Sequence, residues 1–122
     1  MGLLEIVLIV SAIAVSWTAE ATARGKLGVN SAVGLWVGYV AHSEEAWLAG
    51  HRAARPLLHA SSAAFALAGV LSLVIPGITD ETGAVIALTC CLVALGLVIA
   101  ASVKAGRAAE HAVLESVDGK DR

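Results

Sequence analysis

The sequence predicts an all-α membrane protein with three transmembrane helices and a short interfacial amphipathic helix between the first and the second. Of its 122 residues, 58% are hydrophobic and only 15% are charged, whereas soluble proteins carry about 25% charged residues. The apolar residues are concentrated in three runs of about 17 to 20 residues, close to the number that crosses a hydrocarbon core. The length suits one domain, so residues 1–122 are interpreted as a single membrane domain.

The first span is predicted over residues 3–19. Glu5 and Trp17 lie near its two ends, where polar and aromatic side chains reach the membrane interface. A cleaved signal peptide is an alternative, because Ala19-Glu20-Ala21 has the small-x-small form of a cleavage site. No Lys or Arg precedes the apolar run, which argues against that alternative.

Residues 20–56 are expected to form an ordered loop that packs under the helices. Four glycines within 14 residues, from Gly25 to Gly38, argue against a stable helix there. Trp36 and Tyr39 are too apolar for a solvated linker.

A short helix is predicted in the last part of this loop. Ser43 is a suitable N-cap, and Glu44 and Glu45 favour the positive end of a helix. Pro56 is expected to end or kink the helix, because proline lacks a backbone donor and crowds the preceding turn.

This short helix is predicted to be amphipathic, with an aromatic anchor on one face. At about 100° per residue, that face holds Trp47, His51, Ala54 and Leu58. Glu45 and Arg52 lie on its flank. A membrane interface holds such a helix in its plane, so Trp47 is expected at headgroup depth.

The second and third spans are predicted over residues 57–75 and 84–103, separated by a break at Pro76-Gly77. Residues 104–122 form a polar tail whose first part can extend the third helix. Small residues recur at four-residue spacing in all three spans, which is how helices approach closely in lipid. These positions are Ala12 and Ser16, then Ala60, Ala64, Ala68 and Ser72, then Gly96 and Ala100.

The positions of the charges predict the topology. All eight Lys and Arg residues lie either between the first two spans or after the third. The positive-inside rule places both regions in the cytoplasm, with the N-terminus outside and the C-terminus inside. The chain is therefore expected to be a multi-pass protein of the bacterial cytoplasmic membrane, with residues 20–56 and 104–122 cytoplasmic.

The sequence predicts no catalytic, cofactor or metal site. No two of the four histidines have the i, i+4 spacing of a helical metal motif. Cys90 and Cys91 are adjacent in an apolar run and are interpreted as small packing residues. The basic clusters are too sparse for nucleic acid.

Three segments of the chain carry a family resemblance. They are the run from Arg24 to Gly34, the Ser43-Glu44-Glu45-Ala46-Trp47 segment and the Gly50-His51-Arg52-Ala53-Ala54 segment. In this order the sequence resembles the SdpI/YfhL family of small bacterial membrane proteins, in its actinobacterial form. The chain departs from the family at Gly34-Leu35-Trp36-Val37, where members usually carry a cation followed by Thr.

The resemblance implies a non-enzymatic protein of the cytoplasmic membrane. In the founding member of the family, the role is immunity to a secreted toxic peptide, with sequestration of a repressor at the membrane. The first hypothesis is therefore an immunity or signalling protein against a membrane-active peptide toxin. The alternatives are a small accessory subunit that stabilises a larger membrane complex and, less favoured, a membrane enzyme that uses the region of Glu44 and His51.

The expected partners are the lipid bilayer and either a peptide toxin or other membrane proteins, in a hetero-complex or a homo-oligomer. The loop between the first two spans has the greatest chemical variety, so partner binding is predicted there. The candidate residues are Asn30, Trp36, Glu44, Glu45, Trp47, His51 and Arg52. The competing interpretation is that these side chains only seat the loop against the helices.

Overall fold

A computed structural model describes residues 2–75 and 80–122. These residues form three α-helices and one short 3-10 helix, with no strand in the described ranges. The elements are α1 (Leu3–Ala23), the 3-10 helix (Val40–His42), α2 (Glu44–Val74) and α3 (Asp80–Lys120). Each α-helix is long and apolar enough to cross a membrane. The prediction of an all-α, three-span protein is confirmed, while the break predicted at Pro76-Gly77 lies outside the described residues.

The helices differ in length, and the difference creates an extension at one end. The 21 residues of α1 rise about 32 Å, which matches a hydrocarbon core of about 30 Å. The 31 residues of α2 and the 41 of α3 rise about 47 and 62 Å. Since α2 begins and α3 ends where residues 24–43 connect α1 to α2, both long helices extend there. This end of the bundle is called the loop end.

The short interfacial helix predicted before Pro56 is not a separate element. Residues 44–56 are the first part of α2, which continues through Pro56 to Val74. Proline inside a helix costs about 3 kcal/mol. Here Ala54 and Leu58 on either side of it are buried, so packing of the two halves of α2 offsets that cost.

The central helix is α2, which packs against both α1 and α3. Among the described residues, no Cα atom of α1 lies within 8 Å of a Cα atom of α3. Two adjacent serines of α2 mark its two contacts: Ser61 Oγ donates to the Ala94 carbonyl at 3.1 Å, and Ser62 Oγ donates to the Ala12 carbonyl at 2.6 Å. The buried positions of α3 are alanines, which let the backbones approach closely. They are Ala87, Ala94, Ala101, Ala105 and Ala109.

The predicted small-residue faces are correct only in part. Ala12 and Ala68 are buried as expected, but Ala60, Gly96 and Ala100 are exposed. A four-residue ladder describes a helix with one neighbour, whereas α2 has neighbours on two sides and buries Ser61 and Ser62 instead of Ala60. The two cysteines are free and partly buried against the cluster of Leu8, Ala68 and Ala87, in agreement with a packing role.

The end of α1 is set by a backbone motif. The Lys26 N–H donates to the Ala21 carbonyl at 2.9 Å and the Gly25 N–H to the Thr22 carbonyl at 3.2 Å. These bonds form a Schellman motif, which needs a left-handed residue after the helix. Gly25 supplies it with φ +75°. The chain therefore turns back toward α2 directly after Arg24.

Candidate functional site

Asn30 organises the loop between α1 and α2. Its Oδ1 accepts the N–H groups of Ala32 and Val33 at 2.9 and 2.7 Å. Its Nδ2 donates to the carbonyls of Gly28 and Val33 at 2.8 and 3.0 Å. Every polar atom of the Asn30 side chain is therefore used to hold the loop in shape.

The first turn of α2 holds the loop in two ways. Ser43 Oγ accepts the Ala46 N–H at 3.1 Å, which confirms the predicted N-cap. The Glu44 carboxylate accepts the Val29 N–H, with its two oxygens at 3.2 and 3.3 Å from the amide nitrogen. Glu44 thus joins the loop to the start of the helix.

Trp47 lies inside the protein and not against lipid headgroups. Only 1% of its surface is exposed, and its Nε1 donates to the Leu27 carbonyl at 2.9 Å. The predicted grouping of Trp47 with His51, Ala54 and Leu58 on one face is confirmed, since all four are buried. The expectation that Trp47 anchors the helix in the membrane interface is not met, because the loop and α3 cover this face.

His51 joins the loop to α2. The Leu35 N–H donates to His51 Nε2 at 2.9 Å, and His51 Nδ1 lies 2.8 Å from the Trp47 carbonyl. Because the amide can only donate, Nε2 is the acceptor and Nδ1 carries the proton that the carbonyl receives. The imidazole is therefore neutral, and both of its nitrogens are used.

Asn30, Trp47 and His51, together with the exposed Glu44, thus form hydrogen bonds to other parts of the chain, which supports the interpretation that they hold the loop in place. The remaining candidates, Trp36, Glu45 and Arg52, are exposed.

Trp36 is 56% exposed and meets the Trp47 ring edge-on with centroids 6.2 Å apart. Arg52 Nε donates to the Ala23 carbonyl at the end of α1, at 3.2 Å. Trp36 and Glu45 therefore offer the most available side chains of the predicted set, and partner binding by any of the seven stays a prediction.

A second polar cluster, centred on Glu20, was not predicted. Its carboxylate accepts from Arg24 Nε at 2.8 Å, from Arg55 Nε and Nη2 at 2.7 and 2.8 Å, and from His59 Nε2 at 2.6 Å. Ser16 Oγ lies 3.0 Å from His59 Nδ1. The i, i+4 pair of Glu20 and Arg24 is visible in the sequence, but the partners on α2 are 35 and 39 positions away and no local spacing reveals them.

The order Ser16, His59, Glu20 follows the order of a serine-hydrolase relay, but the cluster is built as an ion-pair network. Ser16 lies within α1, where the backbone N–H groups are committed to the helix and face no oxyanion position. Two arginines already hold the carboxylate. The arrangement joins α1 to α2 through charge.

An apolar cleft of about 240 Å³ lies between α1 and α3. The Gly34–Leu35 segment of the loop lies at one end of it, and α2 contributes His51 and Leu58. The lining residues are Ala14, Val15, Thr18, Gly34, Leu35, His51, Leu58 and Val98. The cleft exists because α1 and α3 both pack on α2 without meeting each other.

Within residues 2–75 and 80–122, no three His, Cys, Asp or Glu side chains are grouped so that they hold a metal ion. The chain matches no family model, no curated protein and no solved structure. The three apolar helices make a multi-pass membrane protein the class that the fold defines.

Proposed function

We propose that this protein is a non-enzymatic membrane protein that binds a membrane-inserted peptide, and acts as an immunity or signalling protein against a peptide toxin. The observation that carries the proposal is the apolar cleft between α1 and α3. The resemblance to the SdpI/YfhL family supplies the class of ligand. The protein would act in the bacterial cytoplasmic membrane, with its loop end in the cytoplasm.

The size of the cleft favours a side chain of a peptide over a whole small molecule. Pockets that enclose drug-sized ligands have volumes of about 300–1,000 Å³, which is larger than the 240 Å³ found here. An apolar cavity of about 150 Å³ holds one benzene molecule. The cleft therefore suits one large apolar side chain that projects from a helix lying beside α1 and α3.

The position of the cleft favours a partner that arrives through the membrane. Its walls come from two apolar helices that do not meet, so it is accessible between them. The loop-end residues that offered the greatest chemical variety are largely used internally. Recognition by apolar shape along the helices is the mode that remains.

Ala14→Leu tests this proposal. Ala14 is an exposed residue on the α1 wall of the cleft, so a larger side chain fills the cleft without entering the core. Ala100→Leu is the matched control, because Ala100 is exposed and lies about 200° around α3 from Val98. A strain that lacks the protein is complemented with each variant and challenged with culture supernatant of its own species.

We expect the deletion strain to be sensitive, the wild type and Ala100→Leu to restore growth, and Ala14→Leu to fail at an equal membrane level. Protection by Ala14→Leu, or a deletion strain that is not sensitive to any supernatant, contradicts the proposal.

The alternative function is an accessory subunit of a larger membrane complex. It is favoured by Gly96 and Ala100, which are exposed one turn apart on α3; a Cβ atom built on Gly96 would meet nothing within 4 Å among the described residues. Such pairs allow close approach of a second helix. Pull-down in mild detergent with mass spectrometry separates the two functions. An accessory subunit loses its partner with Ala100→Leu and keeps it with Ala14→Leu.

A further inference from the structure

Four cationic side chains converge on the end of α1. Arg24 and Arg55 hold the Glu20 carboxylate, and Arg52 bonds to the Ala23 carbonyl. Lys26 follows directly after the helix and lines a pocket with Arg24. These are all four Lys and Arg residues between the first and second spans, so folding gathers them at one place.

The charges at this place do not balance. Four positive groups face one carboxylate, Glu20, and both oxygens of that carboxylate are already engaged. Arg24 uses only its Nε in its pair with Glu20, so its two Nη groups lie outside that pair. Within the described part of the chain, the Lys26 ammonium takes part in no hydrogen bond or ion pair. Several N–H donors of Arg24 and Lys26 thus lie outside these pairs, and the side chain of Arg24 is 59% exposed.

The pocket beside these donors has a volume of about 300 Å³ and an aromatic wall. It is lined by Trp17, Glu20, Ala21, Arg24 and Lys26, none of which lines the cleft between α1 and α3. Trp17 is 59% exposed and lies at the boundary between the apolar part of α1 and the charged cluster. An indole at such a boundary marks the headgroup level of a bilayer.

We propose that this pocket binds the phosphate group of an anionic glycerophospholipid. Arg24 and Lys26 would donate to the phosphate oxygens, and Trp17 would lie against the glycerol and the first carbons of the acyl chains. A lipid is favoured over a free phosphate ion because the pocket combines cations with an exposed indole beside a membrane-spanning helix. Anionic lipids are also attracted to basic segments at the membrane surface.

The experiment uses the full-length protein in a neutral detergent. Its Tm is measured during titration with short-chain phosphatidylglycerol, phosphatidylcholine or inorganic phosphate. We expect phosphatidylglycerol to raise the Tm in a saturable manner, and the other two to leave it unchanged at the same concentrations. Arg24→Gln with Lys26→Gln is expected to weaken the apparent affinity at least tenfold.

The matched control is Lys104→Gln with Arg107→Gln, which removes the same charge from exposed positions of α3 at the loop end. This control is expected to keep the affinity of the wild type. Lys26→Gln alone tests the proposal if the double variant does not fold.

Three results overturn the proposal. An equal loss in the control shows general attraction to charge. An equal effect of phosphatidylcholine shows binding of acyl chains only, and an equal effect of inorganic phosphate shows a site for soluble anions.

Discussion

The packing of the loop on α2 depends strongly on Gly34. Its φ of +118° lies in a region that side chains rarely adopt. A Cβ atom built on it would lie 2.5 Å from Trp47 Cη2 and 3.0 Å from His51 Nε2. Neither ring can retreat, because Trp47 bonds to Leu27 and His51 bonds to Leu35. The absence of a side chain is therefore what lets the loop cover α2.

Gly34→Ala is expected to lower the free energy of unfolding by about 2–4 kcal/mol, from backbone strain and overpacking together. Unfolding by heat in detergent, followed through tryptophan fluorescence, measures this change. Gly106→Ala is the control, since a Cβ atom there meets nothing within 4 Å and alanine favours a helix by about 0.5–1 kcal/mol. Equal effects of the two substitutions would remove the special role of Gly34.

The sequence was sufficient to group the side chains of α2 but not to show what covers them. A turn of about 100° per residue places Trp47, His51, Ala54 and Leu58 together in any helix. The covering segment depends on the positive φ angles of Gly25, Gly34 and Gly38. Glycine adopts several backbone conformations with similar ease, so its presence does not determine the path of the loop.

At the scale of the helices, α2 continues through Pro56 although proline normally ends or kinks a helix. Proline removes the N–H group that would bond to the Arg52 carbonyl, and its ring crowds that carbonyl. The ring is exposed and so gains little from burial. Packing on α1 and α3 keeps the helix continuous at this point.

Pro56→Ala is therefore expected to stabilise the protein, by at most about 3 kcal/mol. Pro56→Gly is the companion variant: it also restores the N–H group, but glycine lowers the gain by about 1 kcal/mol relative to alanine. The Tm values in one detergent should rank alanine above glycine and glycine above proline. A lower Tm for alanine than for proline would show that the ring itself is needed in the fold.

The positions of the helices and the start of α2 after its Ser43 cap could be predicted, whereas other helix ends and several contact faces could not. Apolar runs place three spans, because lipid requires them. The continuation of α2 through Pro56 and the end of α3 at Lys120 depend on tertiary packing of polar and apolar turns outside those runs. Ser61 is a contact and Ala60 is not because α2 also packs on a third helix. The periodicity of one helix carries no information about how many neighbours that helix has.

At the scale of the whole molecule, the fold brings the two basic regions together. Four basic residues lie between positions 24 and 55, in the connection from α1 and the first part of α2, and residues 104–122 end α3, so both groups lie at the loop end. The positive-inside rule requires both basic regions to lie on the same side of the membrane. Three helices of alternating direction place them there. The Glu20 cluster also depends on the whole fold, since its members come from two helices.

A reporter fused at Gly77 is expected to be active only outside the cytoplasm, and one fused after Arg122 only inside it, because the cationic end is retained in the cytoplasm. Paired alkaline phosphatase and fluorescent-protein fusions measure both positions. Substitution of Arg24, Lys26, Arg52 and Arg55 by glutamine serves as the control and should weaken the preference. Reversed activities in the unsubstituted chain would show the opposite orientation.

The separation of α1 from α3 has a consequence for how such a chain changes over evolutionary time. Since α1 and α3 both pack on α2 without meeting each other, a new residue on the inner side of α1 needs no compensating change in α3. The two outer helices can therefore diverge at independent rates, while α2 must remain compatible with both. Selection for new ligands can therefore act on α1 and α3, whereas substitutions in α2 must preserve its packing with both.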